Sequence, residues 1–343
     1  MRAENEAILA NLNANSTLKE WQQLYRCCQI CPQNCQVNRL DGELGFCLSG
    51  TNLHIARAAL HFYEEPPISG TSGSGAIFFT GCNLSCVFCQ NCAISTSRRR
   101  KNLRKLGKEF SQGEFVKACL DLEAQGACNI NLVTAGHQLA SLIPALYATK
   151  EAGIQIPFVY NSSSYESLDM LKKLSGLIDI YLPDIKFYQA SSARKYLGFA
   201  NYPEISFKVV DEMYRQVGKL QFANKPFTKT SKPAPGFKLL KKGLILRILL
   251  MPGFVNEAKA ILAYAYTLYG DNIYLSLMNQ YTPIPQILKK YPELNRHVLT
   301  EEYEEFVDFA INLGVKHAFT QAATTQSESF IPDFQIYNDD AKQ

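Results

Sequence analysis

The sequence predicts an α/β protein built on a mainly parallel sheet, with a cysteine-rich extension in front of it. Three observations predict this. Six short apolar runs recur between Ala76 and Tyr281, helical patterns separate them, and nine of the eleven cysteines crowd between Cys27 and Cys92. Near-continuous apolar runs are the mark of strands covered on both faces, as in a parallel sheet flanked by helices.

The elements follow in order. Residues 1–26 read as a polar helical leader. The stretch from Cys27 to Cys47 contains Pro32, Gly42 and Gly45 and has no regular periodicity, so it reads as a metal-tied knuckle. The turn-rich EEPPISGTSGSG, from Glu64 to Gly75, introduces the core. The strand runs are AIFFT (Ala76 to Thr80), NINLVTA (Asn129 to Ala135), IPFVYN (Ile156 to Asn161), IDIYLPDIK (Ile178 to Lys186), LILRILLMPG (Leu244 to Gly253) and IYLSLMNQY (Ile273 to Tyr281). Between the first two, SQGEFVKACLDLEAQG has a capping-box pair in Ser111 and Glu114 and a stop in Gly126. Cys119 and Cys128, on or beside that helix, read as packing thiols. EEYEEFVDFAINLG reads as an amphipathic closing helix with acidic residues at its N-terminal dipole end, and the last dozen residues as a loose tail. The implied divisions are an extension at 1–70, a core at 71–300 and a closing helix and tail at 301–343.

Composition narrows the class. With 47% hydrophobic and 19% charged residues the chain has the balance of a soluble globular protein, and no run approaches the roughly 18 apolar residues of a membrane span. The N-terminus lacks a basic segment followed by an apolar one, so no secretory signal is expected and a reducing cytoplasm is. In that setting eleven cysteines point to metal ligation rather than disulfides. A net charge of +4 gives no nucleic-acid footprint. The basic run Arg98, Arg99, Arg100, Lys101, Arg104, Lys105 and Lys108 reads as a solvated face or as a docking surface for an acidic electron-donor protein.

The chemistry centres on GCNLSCVFCQN, where Cys82, Cys86 and Cys89 are spaced C-x3-C-x2-C directly after the first core strand. Such a loop can wrap three thiolates around a four-iron cube, leaving one iron open for an exogenous ligand. With Phe88 before the last cysteine, this segment resembles the signature of the radical S-adenosylmethionine superfamily. HFYEEPPISGTSGSGAIFFTGCNLSCVFCQN, VYNSSSYE, IDIYLPDIK and EMYRQVG extend the likeness, from about Cys28 to Tyr281, to a branch related to pyruvate formate-lyase activating enzymes.

Periodicity leaves open a closed barrel, a partly open barrel or a doubly wound sheet; the resemblance implies a partial (β/α)6 TIM-like barrel. It also implies one 4Fe–4S cluster on Cys82, Cys86 and Cys89, S-adenosylmethionine on its open iron, and reductive cleavage to a 5′-deoxyadenosyl radical that takes a hydrogen atom from the substrate. A protein glycyl residue is the substrate class it suggests, with a low-potential donor such as flavodoxin or ferredoxin. The positions matching the superfamily's cofactor contacts are Thr134, His137, Asn161, Ser163, Asp184, Lys186 and Arg247, all at the ends of later strands or within them.

These residues also have plainer readings. Asp184 and Lys186 alternate around Ile185, so both can face one interior, as ligand contacts or as a structural ion pair. His137 reads as a contact to a carboxylate or ribose hydroxyl, or as an ordinary strand-end histidine. Arg247, inside LILRILL, needs a partner, either a ligand carboxylate or Asp184.

The chain departs from the family pattern in three places. Ser164 stands where a glycine is expected, VTAGHQ differs from the related VTPTH, and Cys92 adds a fourth cysteine able to close the cluster. Upstream, Cys28, Cys31, Cys35 and Cys47 form C-x2-C-x3-C-x11-C beside Cys27, a spacing that suits zinc, a second iron–sulfur cluster or merely neighbouring reduced thiols. Two alternatives stand beside the hydrogen-abstraction reading. One is another radical modification or methylation of a peptide or small molecule; the other is a noncatalytic iron–sulfur carrier or zinc-stabilised interaction protein.

Overall fold

The computed structural model describes residues 16–95, 106–284 and 289–321. Helix α1 (Ser16–Gln22) leads into the irregular cysteine-rich stretch, whose one regular turn is the 3-10 segment Arg39–Asp41. Then follow β1 (Leu53–His61), the single turn α2 (Pro66–Ser69), β2 (Ser74–Phe79), β3 (Lys108–Phe110), α3 (Gln112–Ala124), β4 (Ile130–Val133), α4 (Leu139–Glu151) and β5 (Phe158–Ser162). The second half comprises α5 (Leu168–Lys172), β6 (Ile180–Pro183), α6 (Ala190–Leu197), α7 (Tyr202–Val217), β7 (Gln221–Phe222), β8 (Leu240–Leu249), α8 (Val255–Tyr269), β9 (Tyr274–Met278), α9 (Thr300–Leu313) and β10 (Ala318–Thr320).

All six apolar runs form strands, and they belong to one sheet of order β10-β9-β8-β6-β5-β4-β2-β1-β3. From β2 to β10 every neighbouring pair is parallel and spatial order follows chain order. A doubly wound sheet would reverse direction at its centre. This one does not, and side chains from Phe78 on β2 to Thr320 on β10 line one cavity, so the sheet curves around it as an open barrel. The mixed α/β fold with a central parallel sheet is therefore the predicted class. The sheet also runs beyond 71–300 on both sides, through β1 and β10.

Alternation along the strands sorts two cores. Val159, Ile180, Leu182 and Ile245 point inward and pack with Ile68, whereas Phe158, Tyr160, Tyr181, Leu244 and Leu246 point outward into the large cluster shared with the helices. Ile68 comes from α2, so the β1–β2 connection plugs the barrel from below. The Ser111–Glu114 capping box forms at the start of α3, and the closing helix appears as α9. Cys119 and Cys128 are buried.

Strands β1, β3, β7 and β10 were not legible in sequence. Three of them are only two or three residues long, and β1 runs antiparallel to β2 in a stretch that reads as a cysteine-rich approach to the core. No described helix is long and apolar enough to cross a membrane. Of the basic run, only Lys108 lies within the described residues, and the C-terminal tail lies outside them.

Candidate active site

The cavity, of about 320 Å³, opens at the C-terminal ends of the parallel strands. Its roof is the loop after β2. Gly81 begins this loop with φ +89°, and a Cβ there would lie 2.5 Å from the Cys47 carbonyl oxygen, so only glycine fits the close approach. Cys82, Cys86 and Cys89 then all face the cavity. The loop is fastened across the mouth. Val87 N–H donates to the Tyr196 carbonyl at 3.0 Å and Gln90 Nε2 to the Gln280 carbonyl at 2.8 Å. Phe88 packs edge-on against Phe187 and contacts Tyr281.

Burial pushes all three thiols above their ordinary range, Cys86 to about 12 despite the nearby Lys186, so without metal they stay protonated at neutral pH. A metal cluster would displace those protons. Among the described residues no three Cys, His, Asp or Glu side chains converge on a single ion. A four-iron cluster does not require convergence, because each of its protein ligands binds a different iron. Three thiols in one cavity wall, on a loop held open by a left-handed glycine, fit that group.

Six of the seven predicted cofactor contacts, Thr134, Asn161, Ser163, Asp184, Lys186 and Arg247, line the same cavity. Four of them form a ladder. Lys186 Nζ donates to Asp184 at 3.0 Å, Arg247 Nε to Asp184 at 2.6 Å, and Arg247 Nη2 to Asn161 Oδ1 at 2.7 Å. Burial would raise the Asp184 carboxyl, but Arg247 and Lys186 together hold it below the usual carboxylate range. The same pairing raises both cations against burial. Both plain readings of sequence thus meet: Arg247 finds Asp184, and the Asp184–Lys186 pair still faces the cavity.

Thr134 adopts φ +60°, a left-handed conformation rare for a β-branched residue, with its N–H donating to the Asn161 carbonyl at 2.9 Å. The buried Tyr202 hydroxyl ties two strand ends together. It lies 2.9 Å from the Ser163 carbonyl and 3.2 Å from that of Asp184, and accepts from Lys186 N–H at 3.1 Å.

His137 is the exception and does not line the cavity. It is fully buried beneath Gly81, away from the cavity, with Nε2 2.9 Å from the Thr80 carbonyl. Burial lowers its pKa to about 4, leaving it a neutral prop for the loop. Cys92, the fourth cysteine, is buried in the turn after Cys89 and does not line the cavity. Ser164 takes φ +58°, the conformation that favours glycine. Gly136 of VTAGHQ is packed so closely that a Cβ would lie 2.0 Å from Glu166 Oε2.

The upstream cysteines sit directly behind the roof. Cys28, Cys31 and Cys47 are buried, Cys35 is half-buried and Cys27 is exposed. The buried Arg39 donates to Cys47 Sγ at 3.3 Å and to the His137 carbonyl at 2.9 Å, and Gln33 Nε2 reaches the Asn83 carbonyl at 2.7 Å. This knuckle therefore braces the Cys82 loop.

Sequence reasoning missed Glu64 and Glu65, which form the cavity floor. In sequence they are two acidic residues in a turn. Only the plugging of the barrel by the β1–β2 connection turns them inward.

No protein-family model matches the chain. A curated protein of Methanocaldococcus jannaschii, described as an uncharacterized protein, is 26% identical over 289 residues, covering 84% of this chain and 75% of its own length. Among solved structures, Streptococcus suis SuiB bound to the precursor peptide SuiA matches at TM-score 0.45 and 10% identity, over 70% of this chain and 46% of SuiB. SuiB bound to S-adenosylmethionine matches at 0.45 and 10%, over 75% and 49%. A radical SAM methyltransferase from Sphaerobacter thermophilus matches at 0.42 and 13%, over 72% and 66%. The chain thus spans about half the length of SuiB.

Proposed function

We propose that this protein is a radical S-adenosylmethionine enzyme that abstracts a hydrogen atom from its substrate. One observation carries the reading: Cys82, Cys86 and Cys89, spaced C-x3-C-x2-C, line one cavity at the strand ends together with the Asn161–Arg247–Asp184–Lys186 ladder. When bound, a reduced 4Fe–4S cluster with S-adenosylmethionine on its open iron supplies the 5′-deoxyadenosyl radical. The three thiolates would hold the cluster. Lys186, whose charge opposes the rise of the Cys86 thiol pKa, lines the cavity with the thiols, while Asp184, Asn161, Thr134 and Ser163 offer acceptors and hydroxyls to a zwitterionic nucleoside. Phe88 with Phe187 and Tyr281 shields the roof loop from water.

A protein glycyl residue as hydrogen donor, with flavodoxin or ferredoxin as electron source, rests on the sequence resemblance. The knuckle of Cys28, Cys31, Cys35 and Cys47 is proposed as a thiophilic metal site bracing the roof. The test is anaerobic reconstitution with iron and sulfide, dithionite reduction and chromatographic detection of 5′-deoxyadenosine from added S-adenosylmethionine, beside Cys86→Ala. Product from the intact triplet alone supports the reading; a well-formed cluster that yields none returns the chain to the electron-carrier alternative.

A further inference from the structure

The cavity has a chemical asymmetry that the thiol roof does not use. Its floor is the segment that plugs the barrel, and two acidic residues of that segment, Glu64 and Glu65, are part of the lining. Glu64 is fully engaged. Its Oε1 accepts from Asn131 Nδ2 at 2.7 Å and its Oε2 from Arg247 Nη1 at 3.3 Å. The Glu65 side chain lies by Ser276, yet its Oε2 is buried and, among the described residues, has no hydrogen-bond partner. The cations of the ladder are already committed, Arg247 through Nε, Nη1 and Nη2 to Asp184, Glu64 and Asn161, and Lys186 to Asp184. Against those two cations the cavity sets three acidic side chains; Arg247 and Lys186 hold Asp184 ionised, while burial pushes Glu64 and Glu65 upward, a tendency that an incoming cation would oppose. A buried polar oxygen without a donor is costly, and the cost is relieved when a ligand brings the donor.

We propose that Glu65 determines specificity by receiving a cationic nitrogen of the substrate, a primary amine or guanidinium group, at the cavity floor. The inference rests on the reading of the roof as the cofactor end. The ladder runs from Lys186, whose charge acts on the Cys86 thiol, through Asp184 to Arg247 and Glu64, and Glu65 follows Glu64 in the chain at that far end of the ladder. That placement leaves the floor to the second reactant. Arg247 spans both halves and aligns them.

The test uses the full chain, anaerobic and reconstituted, in thermal unfolding with n-butylamine and agmatine as probes and butyrate and 1-butanol as controls. S-adenosylmethionine is added in a separate series. The two amines are expected to raise Tm in a concentration-dependent way and the controls are not. Glu65→Gln should weaken the amine response by about tenfold or more, the usual effect of losing a charged hydrogen-bond partner, while its response to S-adenosylmethionine stays that of the wild type. That retained response also reports that the variant is folded. Glu65→Asp should restore part of the amine response. Equal shifts from the amines and 1-butanol would overturn the proposal, as would a Glu65→Gln variant that loses S-adenosylmethionine instead of the amines. Absence of 5′-deoxyadenosine from the wild type, with the amine response intact, would sink the radical reading and leave the Glu65 assignment standing.

Discussion

Replacing Arg247 by Met tests the ladder that organises the cavity. The Arg247 side chain is 13% exposed, and its guanidinium pairs with Asp184 at 2.6 Å and Glu64 at 3.3 Å. A methionine fills similar space but leaves two carboxylates facing each other without their shared cation. Removing one member of a buried ion pair typically costs about 3–5 kcal/mol, because the remaining charge is stranded. Lys186 still neutralises Asp184, and Glu64, already raised by burial against the pull of Arg247, can take up a proton, so the lower end, about 3 kcal/mol, applies. For 343 residues the unfolding entropy implies a fall in Tm of about 4 °C. The assay is thermal unfolding of the reduced, metal-free chain for the wild type, Arg247→Met, Asp184→Asn and the double variant. The double variant should be less destabilised than the sum of the singles, because removing Asp184 removes one of the stranded charges. A single-variant loss below about 1 kcal/mol, or strict additivity, would refute the ladder as a coupled unit.

Three further outcomes follow from the same geometry. Gly81→Ala should cost about 1–2 kcal/mol and lower the iron bound per chain on reconstitution, since its Cβ would meet the Cys47 carbonyl at 2.5 Å in a left-handed backbone; wild-type iron content would contradict this. Cys89→Ala should lose the cluster chromophore while Cys92→Ala keeps it, because only Cys89 of the two lines the cavity; equal losses would favour a closed four-thiolate cluster. Glu302 accepts two hydrogen bonds from Arg296, at 2.7 and 2.8 Å, and one from Gly253 N–H, so its folded pKa is depressed to about 2. A depressed acid stabilises the fold above its unfolded pKa and loses that contribution as pH falls from about 4.5 to 2. Glu302→Gln should therefore flatten the acid limb of stability against pH in that window, and an unchanged limb in denaturation titrations would exclude the assignment.

The repeated βα pattern, the six core strands, the capping box and the cysteine triplet were all legible along the chain, because each is written in local spacing. Apolar runs imply burial on both faces, and a C-x3-C-x2-C loop needs no distant residue to be recognised. Most of the cavity's polar set was also within reach, since residues at strand C-termini face the same end of a parallel sheet whatever its closure. What the sequence could not decide was everything that depends on which segments meet. The choice between a wound sheet and an open barrel rests on strand order. His137 shares the strand-end signature of Thr134, yet its ring turns under Gly81, where the apolar surroundings keep it neutral. Arg247 found its partners across 63 and 183 residues of chain. Glu64 and Glu65 fall in a segment that carries the resemblance, yet nothing local assigns them a role, because two glutamates in a turn are ordinarily solvated. Tertiary structure alone sinks their carboxylates into the barrel, where low dielectric makes a hydrogen bond or its absence matter.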